Sequence, residues 1–407
     1  MTVTCGVDWA ELHHDVAIVD ENGKRVAKLR IDCGAKGFGE LLTLLTEHTP
    51  DPTAVSVAIE TDKGLLVAAL QAAGFVVYAI NPRAVARYRE RHGQAGGKSD
   101  PGDAVVLADI LRTDRDRHRP LPQLTDEALA VKALARQHQE AIWARQAAVN
   151  RLRSLLVEFY PNALAAFPNL THKAALEVIA AAPTPASGER LTQRRVVALL
   201  RRSGRGDRTG LAERIVTTLR RPALHQPQPV EHALGHAVAS LVATVAVMQA
   251  GIADLEAAMT AAFNDHPDSV IFSPAPGLGP VLAARVMGEM GDDRQRFPAA
   301  QNLRSFAGTA PITKASGKTK IVRTRHIRNR RLADACHWWA FAAITKSPGA
   351  RAHYDRRRAA GDTHNAALRH LANKLLGRLW WCWQNNKPWD DEAAWANVSP
   401  TAIEIAA

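Results

Sequence analysis

The run Met1-Thr-Val-Thr-Cys-Gly-Val7, closed by Asp8, sets the reading of the first third of the chain. Its β-branched residues suit a short pleated strand. Two further apolar stretches, His14–Val19 and Arg25–Ile31, flank Asp20-Glu-Asn-Gly-Lys24, whose Asn-Gly pair carries hairpin turn chemistry. Phe38, Leu41, Leu42, Leu44 and Leu45 then recur at helical spacing within Gly37–Glu47. Ala54–Ile59 is a nearly continuous apolar strand ending at Glu60, and Lys63–Ala73 reads as a helix. Phe75–Ile80 is a strand stopped by Asn81-Pro82, and Asp100 opens a helix over Pro101–Leu111 with proline at its first position. Three strands, helix, strand, helix, strand, helix: that order predicts a mixed sheet with helices on its faces.

With 407 residues, 46% of them hydrophobic, the chain is long enough for two or three domains without covalent staples. Cys5, Cys33, Cys336 and Cys382 lie far apart with no Cys-x-x-Cys pair, which excludes a zinc ribbon and a disulfide scaffold. No charged-then-apolar leader and no uncharged apolar run of about 18 residues is read, so a soluble, cytoplasmic protein away from membranes is expected. The net charge of +12 is uneven: −2 over residues 1–120, +4 over 121–265 and +10 over 266–407. A polyanionic partner is expected at the C-terminal third.

The acids of the first third are few and well placed. Asp8 and Glu60 end strands, and Asp100 and Asp103, three apart, share a face of the last helix's first turn. Four carboxylates converging on one crevice repel one another unless divalent cations bind, and hard oxygen donors select Mg²⁺ or Mn²⁺. A pair of such ions is a common device for cutting phosphodiesters. Asp15, Asp62 and Asp109 read as solvated.

The middle, 121–265, has two long helical stretches. In Glu127–Tyr160 the apolar positions are roughly heptad. From Leu234 through Val238, Leu241, Val245, Met248, Ile252 and Leu255 to Met259 the steps alternate four and three, a coiled-coil seam. The two would make an intramolecular antiparallel pair or a dimer interface around a small helical insert, 161–229. In the C-terminal third, Pro276-Gly277-Leu-Gly279-Pro280 has the pattern of a helix–hairpin–helix, whose glycines admit a phosphate to backbone N–H groups. Lys318, Lys320, Arg323, Arg325, Arg328, Arg330 and Arg331 follow the Ser316-Gly317 turn and suit phosphate contact. Asp334–Ile344, with Trp338, Trp339 and Phe341, reads as a buried helix, and Trp380, Trp381 and Trp383 as core.

Gly6-Val7-Asp8, Val57-Ala58-Ile59-Glu60 and Lys98-Ser-Asp100-Pro-Gly-Asp103 resemble the DEDD, RuvC-like domain of insertion-sequence transposases, in particular the IS110 family. Pro276–Pro280, Phe306-Ala-Gly, Ser316-Gly317 and Arg328-Asn-Arg-Arg331 are similar to the C-terminal transposase domain of the same family. The resemblance implies a ribonuclease H-like domain over 1–120, helical middle segments, and a mostly helical C-terminal domain over 266–407. It implies that Asp8, Glu60, Asp100 and Asp103 bind divalent metal and that Ser316 is the nucleophile joined covalently to DNA. It also implies donor and target double-stranded DNA as substrates, a structured noncoding guide (bridge) RNA, and a homodimer assembling to a tetramer at the bacterial nucleoid. Ser305 and Ser273 are alternative serines. A RuvC-like metal-dependent endonuclease using water would need the acids but not Ser316, and a non-enzymatic nucleic-acid scaffold would need neither.

Overall fold

The computed structural model describes residues 3–92, 100–207, 209–316 and 319–396, which form two compact units meeting in sequence at Gln123 and Leu124.

The first unit runs β1 (Thr4–Trp9), β2 (His13–Val19), β3 (Arg25–Asp32), α1 (Ala35–His48), β4 (Ser56–Ile59), α2 (Leu65–Ala72), β5 (Val76–Ala79), α3 (Pro82–His92) and α4 (Asp100–Asp114). The strands form one sheet in the order β3-β2-β1-β4-β5, in which β2 alone runs antiparallel to the rest. Strand residues alternate between the two faces. Cys5, Val7, Val16, Ile18, Val57, Ile59 and Val77 join Leu41 and Leu45 of α1 and Val67 and Leu70 of α2 in one core. Ala58, Tyr78 and Ile80 look the other way, onto Val85 of α3 and Leu107, Ile110 and Leu111 of α4. The expected mixed sheet with helices on both faces is present. Helix α3 is an addition: Asn81-Pro82 stops the strand, but Pro82 then starts a helix, where its missing N–H costs nothing.

The second unit runs α5 (Asp126–Phe159), α6 (Pro161–Ala166), α7 (Lys173–Ala181), α8 (Pro185–Glu189), α9 (Gln193–Arg202), α10 (Leu211–Leu219), α11 (Gln228–Asp265), α12 (Ser269–Phe272), α13 (Pro280–Met290), α14 (Ala300–Ala307), β6 (Ile312–Ser316), β7 (Thr319–Arg323), α15 (Arg330–Ala343), α16 (Pro348–Ala359), α17 (His364–Gln384) and α18 (Asp391–Trp395). Helices α5 and α11 pack against each other in opposite directions. Val149, Leu152 and Leu156 share a core with Val238, Val242 and Val245 and with the small helices α6 to α10. Val131 and Ala135 share the other core with Met259, Phe263 and helices α13 to α17. The helix pair therefore belongs to both cores, and no boundary between compact units falls at 265/266.

On α11 the column Val238, Val245, Ile252, Met259 is buried, but Leu234, Leu241, Met248 and Leu255 are half-buried, so the seam is covered from one side. By length and composition α11 is apolar enough to cross a membrane, against the expectation from sequence; here its buried column packs on α5. Trp339 and Trp383 are fully buried, whereas Trp338, Phe341 and Trp381 are half exposed, a correction to the all-core reading of these aromatics.

Candidate active site

One close contact seats the start of α4 against β1. Gly6 lies so near α4 that a Cβ there would come within 1.9 Å of the Ala104 carbonyl oxygen and 2.6 Å of the Ala108 nitrogen. The first turns of α4 are thereby held onto the face of β1 that carries Gly6 and, two residues on, Asp8. Val7 pairs with Ile59 in the parallel ladder, so Asp8 and Glu60 are the next step of the same register at the strand ends. Both are half-buried and both have interactions with neighbouring groups. Asp103, one residue before the contact, is buried. The backbone of Asp100 begins α4, but its side chain lies outside the described residues.

Cations already answer part of this charge. Arg89 of α3 donates to Asp103 Oδ1 as a salt bridge. Asp15 stands opposite Asp8 across β1–β2 and is 2% exposed; Arg30, its register partner in β3, donates to Oδ1 at 3.2 Å and Oδ2 at 2.7 Å. Asp109 accepts from the Tyr88 hydroxyl at 2.6 Å and Arg112 Nε at 2.6 Å. Asp15 and Asp109 are thus fixed structural carboxylates rather than solvated ones, while Asp62 is exposed. The donor set of Asp8, Glu60 and Asp103 suits a hard cation in kind. Among the described residues no three acid, histidine or cysteine side chains are drawn together closely enough to hold a metal, and Asp103 faces Arg89 instead.

Ser316 ends β6 in the second unit, paired in register with Thr319 of β7, and is exposed. Gly317 and Lys318 lie outside the described residues, as does the side chain of Lys320. The alternative serines are less available: the Ser273 hydroxyl donates to the Ser269 carbonyl at 2.7 Å, and Ser305 lies half-buried within α14. Arg323 and Arg330 are exposed. Arg325 is half-buried with its Nε shielded from solvent and without a hydrogen-bond partner. Arg328 Nη1 donates to the Arg325 carbonyl at 3.3 Å. Arg331 is engaged internally, ion-paired with Glu140 and lying 5.3 Å from the Trp143 ring centroid.

The two glycines of 276–280 part company. Gly277, at φ +75°, abuts the backbone of α15: a Cβ would meet the Ala343 nitrogen at 2.6 Å and the Ala342 carbonyl carbon at 2.7 Å. Its missing side chain serves helix packing, with Trp339 Nε1 donating to the Pro276 carbonyl at 3.0 Å beside it. Gly279 is exposed, with nothing within 4 Å of a Cβ, at the start of α13. All four cysteines are free thiols, and burial pushes those of Cys5 and Cys336 up to about 12, too high for a thiolate nucleophile.

Comparison with known proteins then decides what this chain is. Residues 5–161 match the IS110-type DEDD transposase family model, and residues 270–355 match the transposase IS116/IS110/IS902 family. The mini-circle putative transposase for IS117 of Streptomyces coelicolor is 49% identical, over 99% of each chain. This chain belongs to the IS110/IS116/IS902 family of transposases. An insertion element IS110 43.6 kDa protein of the same species is 32% identical over 76% of this chain and 75% of its own. An IS900 42 kDa protein of Mycobacterium paratuberculosis is 29% identical over 93% of this chain and 94% of its own. Thermus-type RuvC, solved as T. thermophilus RuvC in complex with a Holliday junction substrate, superposes with a TM-score of 0.23 at 17% identity, over 30% of this chain and 100% of that one. The transposase is an enzyme that cleaves and rejoins DNA.

Sequence reasoning missed Arg89 because it missed α3. It also missed the Asp15–Arg30 pair, although the Asn22-Gly23 turn signals the hairpin whose register sets the two side by side.

Proposed function

We propose that this transposase excises and integrates its element by strand exchange through a covalent phosphoserine at Ser316, assisted by divalent metal, Mg²⁺ or Mn²⁺, held by Asp8, Glu60, Asp100 and Asp103. The reading is carried by the exposed Ser316 at the end of β6, followed in sequence by a run of cations, in a chain whose Asp8 and Glu60 sit at the ends of neighbouring strands of another unit. The strand order β3-β2-β1-β4-β5 with β2 antiparallel supports a ribonuclease H-like description of the first unit.

In the reaction Ser316 Oγ forms a bond to phosphorus as one P–O bond of the strand breaks, leaving a strand end with a free hydroxyl. Attack by the hydroxyl of the exchanged strand reverses the step, so the phosphodiester is conserved and no nucleotide triphosphate is consumed. A serine hydroxyl is a weak nucleophile until its proton has an acceptor. Metal, when bound, supplies charge stabilisation at the phosphate and the leaving oxygen. Asp103 joins the other acids only once Arg89 has released it. Arg323, exposed at the end of β7, suits a phosphate beside the reacting one. A structured guide RNA from the element would supply target choice by pairing. Assembly as a dimer, then a tetramer, would let units of different protomers share a site, in the cytoplasm at the nucleoid.

Labelled donor and target DNA, incubated with protein, Mg²⁺ and RNA transcribed from the element's flanks, tests this on a denaturing gel. Wild type gives a protease-sensitive, slowly migrating adduct that Ser316→Ala and Asp8→Ala lack. Cutting without an adduct, undiminished in Ser316→Ala, would instead establish the water-using nuclease.

A further inference from the structure

A cleft of about 690 Å³ opens in the second unit between the end of α14, the first turns of α15 and α17, and Trp143 of α5. Its size falls within the ~300–1,000 Å³ of small-ligand sites. Three guanidinium groups line it, those of Arg328, Arg330 and Arg369. The acid among the lining residues is occupied from elsewhere: Asp334 Oδ2 accepts from Gln139 Nε2 at 2.8 Å and faces Arg285 Nη1 at 3.8 Å. Among the described residues neither Arg330 nor Arg369 has a carboxylate within 4.0 Å. The acid nearest in effect to Arg369 is Asp362, which pairs with Arg357. Burial, and then the neighbouring charge of Arg328, holds Arg369 below its ordinary value, with Asp362 acting in the opposite direction.

The lining is also fixed in place. Gly308, at φ +73°, ends α14, and a Cβ there would lie 2.2 Å from Arg328 Cδ, so the arginine's stem is pressed onto the glycine. Trp143 is 38% exposed, and Arg331, anchored by Glu140, lies over its ring. A tryptophan held by a guanidinium and bordering a cationic cleft has what a base needs to stack against. His337, kept neutral chiefly by burial, and Asn365 add hydrogen-bonding groups. The cleft also sits at the root of the Ser316 hairpin: α14 leads into β6, and β7 returns through Arg328 to α15. Five strand residues span about 16 Å.

We propose that this cleft takes one unpaired nucleotide of a nucleic-acid strand, its base against Trp143 and its phosphate among Arg328, Arg330 and Arg369. The inference rests on the reading of residues 318–331 as nucleic-acid-facing, and it adds a base-binding element to what were phosphate contacts. The nucleotide lies a few positions from the phosphate presented to Ser316, on a DNA strand near the exchange point or on the guide RNA. Those two sources offer the same base and phosphate.

The test uses the full chain and twelve-nucleotide single strands of DNA and of RNA carrying 5-iodouracil, with anisotropy for affinity and peptide mapping of photo-crosslinks. Trp143→Ala is expected to weaken binding about tenfold or more, what one stacked base contributes, with Trp143→Phe restoring most of it. Arg369→Gln is expected to lower the salt dependence by close to one phosphate contact. Crosslinks at Trp143 with DNA alone, or with RNA alone, name the source. Wild-type affinity in Trp143→Ala and Arg369→Gln, with Arg323→Gln weakened, would overturn the cleft while leaving the basic segment's role intact. Failure of the wild type to bind either strand would overturn both.

Discussion

Replacing Gly6 by alanine would push α4, and Asp103 with it, away from β1 without touching any acid of the first unit. The added Cβ would lie 1.9 Å from the Ala104 carbonyl oxygen, and an ordinary contact begins near 3.4 Å, so α4 must retreat by about 1.5 Å. Backbone opposes backbone here, and no side chain can rotate away. Overpacking of this kind costs about 1–3 kcal/mol, and the absence of any relief puts Gly6→Ala at the upper end. At roughly 4 °C per kcal/mol for a unit of this size, melting of the first unit should fall by about 10 °C. Asp103 moves with the helix, and, if it holds metal as proposed, a 1 Å misplacement there costs on the order of a hundredfold. Strand cleavage should therefore fall at least that much, at temperatures where the variant is still folded. Gly39→Ala is the matched control. It lies exposed inside α1 with nothing within 4 Å of a Cβ, and should stabilise by about 0.5–1 kcal/mol. Thermal melting by circular dichroism, with cleavage assayed at 20 °C, reads both effects. A Gly6→Ala protein that melts with the wild type and cuts DNA as fast would refute the close-packed account of how the site is built.

Three further expectations follow from particular contacts. Arg89→Ala leaves the buried Asp103 carboxylate without its salt-bridge partner, so the metal-free protein should lose about 1–3 kcal/mol. Mg²⁺ should then raise its melting temperature more than that of the wild type, and equal Mg²⁺ shifts would speak against Asp103 as a shared ligand. His138 and His353 are each held down to about 4, first by burial and then by nearby cations, Arg285 leading for His138 and Arg356 for His353. Both stay neutral in the fold, while the unfolded chain takes up protons below about pH 6.5; stability is complete above that pH and falls as pH drops towards 4. Each contributes at most about 3 kcal/mol of this loss, less for His138, whose Nε2 lies 3.7 Å from Glu256 Oε2. Denaturant melts at pH 7 and 5 should show the slope flattening in His138→Gln. Gly277→Ala, which drives a Cβ into the α15 backbone, should cost about 2–3 kcal/mol of second-unit stability. Wild-type stability combined with lost DNA binding would restore the helix–hairpin–helix reading of this loop.

Much of the first unit was legible because its strands are short, apolar and punctuated. Val57-Ala-Ile59 and Val76–Ala79 are buried runs with turn residues at each end, and the Asn-Gly turn fixes the hairpin. The placement of Asp8 and Glu60 followed from strand ends alone. What sequence periodicity does not carry is who answers a charge. Asp15 and Asp109 looked like any surface acid until the sheet brought Arg30, and α3 brought Tyr88, beside them, with Arg112 one turn on from Asp109 in α4. The seam of α11 had the right spacing, yet Leu241 and Met248 are half-buried because α5 covers a single side. Gly277 shows the converse problem: a glycine demanded by a close approach looks the same in sequence whether the approaching group is a phosphate or another helix. The β6–β7 hairpin escaped notice because lysine and arginine interrupt its alternation of apolar residues.

As the proposed nucleophile, Ser316 becomes bonded to DNA. Trapping the adduct on suicide donor DNA with Mg²⁺ and guide RNA, digesting it with trypsin and nuclease, and sequencing the nucleotide-bearing peptide by mass spectrometry tests it directly. A phosphonucleotide on Ser316, absent from Asp8→Ala, is expected. A nucleotide on Ser305, Ser273 or any other side chain, or robust exchange with no modified peptide at all, would contradict it.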